Sequence, residues 1–218
     1  MLRKRIKVPN KSEELAEFVG IVLGDGHIEH NKMVRIAGNS KSDYEYMTVY
    51  VANLSKNLFD IEPRFHLHRT FNAIYLSLSS KELVLYLSEI GLKSGDKTIN
   101  QVTIPDWICN NDSFLKACIR GLYDTDGSVY ELLPHWPRLF QICFTAKNIK
   151  LLNQVREALL SFGYNVSRIS NINKENTTPR IYITRKECVR RFYSDIGFKN
   201  PKHNKKIEHL APSSSGQG

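Results

Sequence analysis

The sequence of 218 residues lacks the features that mark several common protein classes. Its four cysteines form no Cys-x-x-Cys pair and lie in apolar periodic segments, so a zinc site or a disulfide framework is not expected. The basic start lacks the apolar stretch of a secretory signal, and no segment approaches the length of a membrane span. We therefore expect an intracellular protein, in the cytoplasm, nucleoid or an organelle, that neither acts at a membrane nor is secreted.

Acidic residues are outnumbered by basic ones. Thirty-one Lys and Arg against 22 Asp and Glu leave a formal net charge of +9, which favours a polyanionic partner through counterion release. Charge alone leaves open a basic but otherwise ordinary surface. A hydrophobic content of 41% suffices for one good core or two small ones, so a globular chain is expected. Only residues 212–218, rich in Ser and Gly, are predicted to form a disordered tail.

An acidic helix end occurs twice in the chain. Residues 18–26 and 119–127 are both apolar runs with helical spacing, and each ends in an acid followed by glycine. A duplicated carboxylate indicates a reaction performed twice. The matching positions stand 101 residues apart: Gly20 with Gly121, Asp25 with Asp126, and Gly26 with Gly127.

The repetition extends beyond these motifs. Residues 81–93 and 186–199 are also similar, at an offset of 106, and such growth is expected where loops absorb insertions. We therefore predict two domains on one chain, a first half (1–104, with the link between the repeats) and a second half (105–211).

Periodicity predicts the same order of elements in each half: helix, two strands, helix, two strands, helix. The fold class is α+β, with two pseudo-symmetric αββαββα repeats, each a four-stranded antiparallel sheet covered by helices on one face. In the first half, alternation places Phe65 and Leu67 toward the core. Residues 166–171 are predicted as a strand of the second sheet. Gly26 is expected to end the first helix in a left-handed conformation, and Asp112 to cap the second motif helix.

The two motif helices are expected to pack on each other. Gly20 and Gly24 match Gly121 and Thr125, and small residues four apart let helix backbones approach closely. Asp25 and Asp126 would then emerge side by side at helix ends that are themselves negative, so ionising both is costly. A divalent cation relieves that cost, and oxygen ligands suit Mg²⁺. A single Asp-Gly is typical of an ordinary helix end, whereas two copies in register favour function.

These residues resemble the LAGLIDADG homing endonucleases in their single-chain, two-repeat form. The resemblance covers nearly the whole chain and includes Lys97-Thr98, the link 104–108, and strand ends at 34–40 and 144–147. It implies a monomeric Mg²⁺-dependent endodeoxyribonuclease that hydrolyses one phosphodiester on each strand of duplex DNA and promotes mobility of an intron or other host element. It also implies that Mn²⁺ substitutes for Mg²⁺, and that Ca²⁺ supports binding without cleavage.

The same resemblance implies roles for particular residues. The chain departs from the family at Leu23, where many members have a second acid, and at Ala146, where glutamine is frequent. These departures imply unequal active centres and one strand cut faster than the other. Without the resemblance, Lys97 and Lys205 are typical surface lysines. The implied metal ligands are Asp25, Asp126, Gly24 and Thr125, and the implied catalytic residues are Asp25, Asp126, Lys97, Lys205 and Asn39.

Polar sheet faces are expected to read the bases of a long pseudo-palindromic or asymmetric DNA site. An antiparallel ribbon fits the major groove, although side chains on an open sheet can also serve only to solvate it. His66 and His68 lack a nearby third ligand, which disfavours zinc. The predicted DNA contacts are Arg35, Arg64, His66, His68 and Tyr75 in the first half and Gln141, Lys147, Arg168, Arg180 and Tyr182 in the second.

Two other functions remain open at this stage. A non-catalytic DNA-binding regulator on the same scaffold would be expected to lose one or both motif acids, and both are present. An RNA maturase, with intron RNA as a partner, is excluded by no residue. We expect an intein only as a parent, because the chain begins with Met and lacks the terminal nucleophile and His-Asn ending of protein splicing.

Overall fold

A computed structural model describes residues 6–30, 32–68, 70–97, 99–132, 136–170 and 177–207. The predicted disordered tail, 212–218, lies outside these residues. Within them, no helix is both long and apolar enough to cross a membrane. All four cysteines are free; Cys118, Cys143 and Cys188 are buried as predicted for small core residues, and Cys109 is half-buried.

The first half follows the predicted order of elements. Ser12 caps the first helix by accepting a hydrogen bond from the Leu15 backbone N–H, so the predicted start is confirmed. The second predicted helix contains a π-helical segment. The elements are α1 (Glu13–Gly24), β1 (Gly26–Glu29), β2 (Met33–Asn39), the π-helical segment (Tyr46–Val51) continuing into α2 (Ala52–Phe59), β3 (Arg64–Leu67), β4 (Ala73–Leu78) and α3 (Lys81–Glu89).

The second half adds two short helices to the predicted order, one before the motif helix and one after the last helix of the repeat. The cap of the motif helix is Asn111 and not Asp112, because the Asn111 side chain accepts from the Phe114 N–H while Asp112 already lies in the first turn. The elements are α4 (Asp106–Cys109), α5 (Asp112–Asp126), β5 (Gly127–Leu132), β6 (Trp136–Thr145), α6 (Ile149–Ser161), β7 (Arg180–Ile183), α7 (Lys186–Asp195) and α8 (Pro201–Ile207).

The two antiparallel sheets differ in size. As far as the described residues go, the first has four strands in the order β1-β2-β4-β3, as predicted, and the second has three in the order β5-β6-β7. The fourth strand predicted at 166–171 is wrong for its described part, which forms one bridge between Ser170 and Arg180. The ladder breaks there because the Ser167 hydroxyl accepts from the Tyr182 N–H, which a backbone carbonyl would otherwise bind.

Helices α1 and α5 pack against each other along what we call the helix seam. A Cβ built on Gly20 would overlap the Cys118 carbonyl oxygen, and one built on Gly121 would overlap the Glu17 carbonyl oxygen. Glycine is therefore required at both positions for the two backbones to approach this closely. The predicted packing of the motif helices is confirmed, and the seam joins the two halves.

An ion pair also crosses the helix seam. The Arg120 guanidinium donates to Glu17 Oε2 through Nη2 at 2.6 Å and Nε at 3.0 Å. The Tyr50 hydroxyl donates to the other Glu17 oxygen at 2.7 Å. Glu17 is buried, so the partners must compensate its charge. These bonds fix the two motif helices relative to each other far from their acidic ends.

The helix-facing side of each sheet forms the core. Buried aliphatic side chains alternate with partly exposed residues along β2, β4 and β7, and buried residues of β5 and β6 add to the core. Phe65 and Leu67, however, are 43% and 52% exposed, so the prediction that they are buried is wrong. Phe65 does pair with the buried Leu76 and therefore shares its face. The reason for its exposure is position, because β3 is the edge strand and the helices do not cover it.

Gly26 does not form the left-handed helix end that was predicted, and it has the same role as Gly127, which follows the second motif acid. Gly127 has φ −84° and ψ 162°, and Gly26 also lacks the positive φ of a left-handed helix end. A Cβ on Gly26 would lie 2.5 Å from Val22 Cα, and one on Gly127 would overlap the Tyr123 carbonyl oxygen. Glycine is needed because each strand turns back across the last turn of its own helix.

Candidate functional site

The two motif acids meet at one end of the helix seam. Asp25 caps α1, donating its backbone N–H toward the Ile21 and Val22 carbonyls, and Asp126 is the last residue of α5. A Cβ built on Gly24 would touch the Thr125 side chain and lie 3.2 Å from Asp126 Oδ2. The helix ends are therefore in contact. Both aspartates are half-buried, so solvent and ions can reach them.

Burial and mutual repulsion make the acid pair costly to ionise. Burial, followed by the charge of Asp25, raises the pKa of Asp126 to about 7. Burial also raises the pKa of Asp25, against the opposing charges of Lys202 and Lys97. The helix C-termini add further negative potential. The site is short of positive charge, which is the condition that favours cation binding.

Lys97 lies at this end of the seam, and the catalytic role that the resemblance implies for it stays a prediction. Its ammonium donates to the carbonyls of Leu23 at 3.1 Å, Val22 at 3.4 Å and Gly24, and so satisfies the last turn of α1. Burial lowers the pKa of Lys97, and the charge of Asp126 opposes this shift more than that of any other acid. A lysine of the first half thus faces the acid of the second half.

The second lysine at the site is Lys202, which was not among the predicted site residues. Its charge lowers the pKa of both acids, and it lowers that of Asp25 more than any other cation does. Its ammonium forms an ion pair with Asp43 at 2.9 Å. The expected Lys205 is exposed further along α8. The structural reason is that α8 starts at Pro201, which puts Lys202 in the first turn; no signal predicted this short helix.

Both lysines therefore act on both acids. Asp25 of the first half is opposed foremost by Lys202, and Asp126 of the second half foremost by Lys97 among the cations. Residues of both halves therefore contribute positive charge around the acid pair.

The donor groups fit a loosely held divalent cation. No group of three or more His, Cys, Asp or Glu that could hold a metal occurs among the residues the structure describes, so the protein's ligands would be two carboxylates with backbone carbonyls. Mg²⁺ is commonly bound in this way, with waters and substrate phosphates completing its shell. The Thr125 hydroxyl donates to the Gly121 and Leu122 carbonyls and is thereby committed to its own helix. The Gly24 carbonyl already accepts from Lys97.

Asn39 is the last residue of β2, and its side chain takes part in the turn that follows this strand. Its side-chain oxygen accepts from the backbone N–H of Lys41 at 2.9 Å and of Ser42 at 3.2 Å. This carbonyl caps the chain between β2 and the next helical segment. Its predicted catalytic role stays a prediction.

A cleft of about 330 Å³ opens beside Asp126. Lys97, Thr145 and the exposed Lys147 line it, and the Thr145 hydroxyl donates to the Asp126 carbonyl at 3.3 Å. Cationic and hydroxyl groups beside a carboxylate suit a phosphate together with a metal. Lys147 thus lies near the acid and not far out on the sheet.

The polar face of the first sheet carries most of its predicted DNA contacts. Register places Arg35 and Arg64 opposite Ser77, and His66 opposite Tyr75, so these side chains share one face. The Arg35 guanidinium lies 6.0 Å from the Tyr75 ring centroid. His68 differs, because its Nδ1 accepts from turn N–H groups in the hairpin between β3 and β4.

The polar face of the second sheet is more internally bonded. Gln141 donates to the Thr184 hydroxyl at 2.6 Å and accepts from the Tyr130 hydroxyl. Tyr182 pairs with Cys143 and Arg180 with Thr145, which places both on the same face as Gln141. Arg168 is exposed on the irregular segment before β7.

Comparison with known proteins supports the fold and gives a family match for part of the chain. Residues 113–197 match the model of the LAGLIDADG-like domain, which covers most of the second half. A structure of I-DmoI in complex with DNA and Mn matches with a TM-score of 0.59 and 19% identity, covering 86% of this chain and 98% of that one. Full-length DUF199/WhiA from Thermatoga maritima matches with a TM-score of 0.59 and 16% identity, covering 93% of this chain and 61% of that one. Other matching I-DmoI structures are of a complex with DNA and Ca, and of a variant with its target DNA in the presence of Mg.

Similar sequences occur inside larger proteins. The chain is 30% identical over 203 residues to the replication factor C small subunit of Methanocaldococcus jannaschii, covering 90% of this chain and 10% of the relative. It is 26% identical over 218 residues to the tRNA-splicing ligase RtcB of Methanopyrus kandleri, covering 90% of this chain and 22% of the relative. The chain thus spans less than a quarter of the length of these relatives.

Proposed function

We propose that this protein is a site-specific endonuclease of the LAGLIDADG type that hydrolyses one phosphodiester on each strand of duplex DNA with Mg²⁺. The observation that carries the proposal is the contact between two helix ends that bear Asp25 and Asp126, with the Lys97 ammonium bound to the last carbonyls of α1 beside them. On this proposal both halves are LAGLIDADG repeats, and the chain acts as a monomer.

The chemistry follows from the charges at the helix seam. Asp25 and Asp126, with nearby backbone carbonyls, would hold the metal, which supplies an activated water and stabilises the leaving oxygen. Lys97 and Lys202 carry positive charge to the same place and would offset the negative charge that develops on the phosphate. Adjacent helix ends reach both strands only where these approach across a narrowed minor groove.

The polar sheet faces are suited to the flanking DNA. Each is part of an antiparallel sheet that presents Arg, His, Tyr or Gln side chains, groups that donate to base edges and phosphates. The net charge of +9 supports binding to duplex DNA. We propose that the first face, with Arg35 and Arg64, reads bases by arginine contacts to guanine in the major groove.

The comparisons support a mobile element. A similar segment occupies about a tenth of the replication factor C small subunit and about a fifth of RtcB, two proteins with unrelated names. This distribution is typical of a self-contained module that different host genes carry. The I-DmoI matches support duplex DNA as the partner and a divalent metal, because those structures contain both. On this basis the nuclease would promote mobility of its host element.

A non-catalytic DNA-binding regulator is the second candidate, because the fold also matches WhiA, whose N-terminal domain is named a LAGLIDADG domain. The retention of both aspartates at the seam favours the nuclease. The two are distinguished by selecting cleaved sites from a random duplex library with Mg²⁺. Recovery of one long cleaved site, lost when both aspartates are changed to Asn, supports the nuclease. A library that is bound but left intact supports the regulator.

A further inference from the structure

Asp43 connects the two halves through a single buried carboxylate. It lies where the chain leaves β2 and is 7% exposed. Its Oδ2 accepts from the Asn39 backbone N–H at 2.8 Å. Its Oδ1 accepts from Asn200 Nδ2 at 2.8 Å and from the Lys202 ammonium at 2.9 Å. One acid of the first half therefore binds two residues of the second half.

The segment that carries Lys202 is fixed at its other side by Asp124. The Asp124 carboxylate accepts the backbone N–H groups of Lys199 and Asn200 at 3.0–3.1 Å. Asn200 Nδ2 also donates to the Asp124 carbonyl at 3.1 Å, and Asn200 is fully buried. The start of α8 is thus held by α5, while the position of the Lys202 ammonium depends on Asp43.

We propose that Asp43 is a positioning residue that holds the Lys202 ammonium beside Asp25, so that this centre is assembled from both halves. This inference rests on the proposed nuclease function and adds a residue to it. A lysine side chain has several rotatable bonds, and a fixed carboxylate limits the positions that its ammonium can take. The fold brings Asp43 near Asp25, because the Asp25 carbonyl accepts from the Ala37 backbone N–H at 3.1 Å and a Cβ built on the next residue, Gly38, would lie 3.3 Å from Asp43 Cβ.

The two centres then hold their lysines by different means. Lys97 is held by the α1 carbonyls, which belong to the motif helix itself. Lys202 is held by a side chain that a single substitution removes. A change at Asp43 should therefore affect one strand of the DNA and spare the other.

Lysine reactivity in the metal-free protein tests the geometry without DNA. The wild type and the Asp43→Asn variant are labelled with trace acetic anhydride, and each lysine is quantified by mass spectrometry. Loss of a partly exposed ion pair should raise Lys202 labelling about two- to fivefold and leave Lys97 unchanged. The matched control is Asp195→Asn, which breaks the 2.6 Å pair with Lys116 and should raise labelling of Lys116 alone. Unchanged Lys202 labelling in a folded Asp43→Asn variant would overturn the proposal.

Strand-resolved cleavage tests the consequence. On a cleaved site, Asp43→Asn and Lys202→Met should slow the same strand about ten- to a hundredfold, while Lys97→Met slows the other. Equal slowing of both strands, or slowing of the strand that depends on Lys97, refutes the role of Asp43. Lys202→Met keeps the buried carboxylate and serves if Asp43→Asn does not fold. If the wild type cuts neither strand, the nuclease proposal fails, and the labelling result still decides whether Asp43 positions Lys202.

Discussion

Replacing Asp126 by Asn should stabilise the metal-free protein above neutral pH. The carboxyl has an ordinary pKa of 3.8 in the unfolded chain, and burial beside Asp25 raises the pKa of Asp126 to about 7 in the folded protein. Between these values the folded state binds more protons than the unfolded state. Stability contributed by the protonated acid is therefore lost as the pH rises toward 7, and the folded protein pays the full electrostatic cost above it.

The size of the effect follows from that difference in pKa. A rise from 3.8 to about 7 corresponds to about 4 kcal/mol at 1.36 kcal/mol per pH unit. Because the carboxylate is only half-buried and water screens it, we expect about 1–2 kcal/mol from Asp126→Asn at pH 8. For a chain of this length that is an increase of roughly 2–8 °C in the midpoint of thermal unfolding.

Thermal unfolding between pH 4 and pH 8, with a chelator present, measures the effect. The variant and the wild type should be equally stable near pH 4 and diverge as the pH rises. Added Mg²⁺ should then stabilise the wild type more than the variant, because the ion binds the folded acid pair. A variant that is less stable than the wild type at pH 8 without metal would refute the reasoning, since Asp126 would then be a stabilising structural acid.

Three further predictions concern the helix seam and the DNA surface. Glu17→Ala should lower the free energy of unfolding by about 3 kcal/mol, because it leaves the Arg120 guanidinium unpaired at the seam. Glu62→Ala, which removes the exposed pair with Lys56, should lower it by less than about 1 kcal/mol. Chemical denaturation of both variants measures the difference. Gly121→Ala should cost about 1–3 kcal/mol by forcing α1 and α5 apart, and an unchanged denaturation midpoint would contradict the close packing. Arg64→Ala should weaken binding to the selected site by about 1–3 kcal/mol and relax the preference for guanine at one position, while Arg190→Ala, exposed on α7, should change neither; binding titrations with the site and with single-base variants of it measure this.

The sequence was sufficient for the parts of the fold that repeat. The spacing of Gly20 and Gly121 predicted the packing of α1 on α5, because two backbones can approach closely only where side chains are absent. Alternation along β2 and β4 predicted the buried and polar faces of the first sheet. Asp25 and Asp126 were predicted to meet at the helix ends, and the contact between Gly24 and Thr125 agrees with this.

The parts that could not be predicted depend on tertiary contacts. Lys202 comes to the site because Asp124 and Asp43 hold the start of α8, contacts that span more than 70 positions of sequence. Phe65 was predicted to be buried because alternation specifies a face and not whether a helix covers it. The missing fourth strand of the second sheet reflects one side-chain bond from Ser167, which no periodic pattern encodes.

The most direct measurement of the central claim is metal-directed cleavage of the protein itself. Fe²⁺ bound in place of Mg²⁺ generates hydroxyl radicals with ascorbate and peroxide, and mass spectrometry locates the broken backbone bonds. We expect cuts within a few residues of Asp25 and Asp126, competed by Mg²⁺ and absent when both aspartates are changed to Asn. Cuts elsewhere, or the same cuts in the double variant, would contradict a metal site shared by the two helix ends.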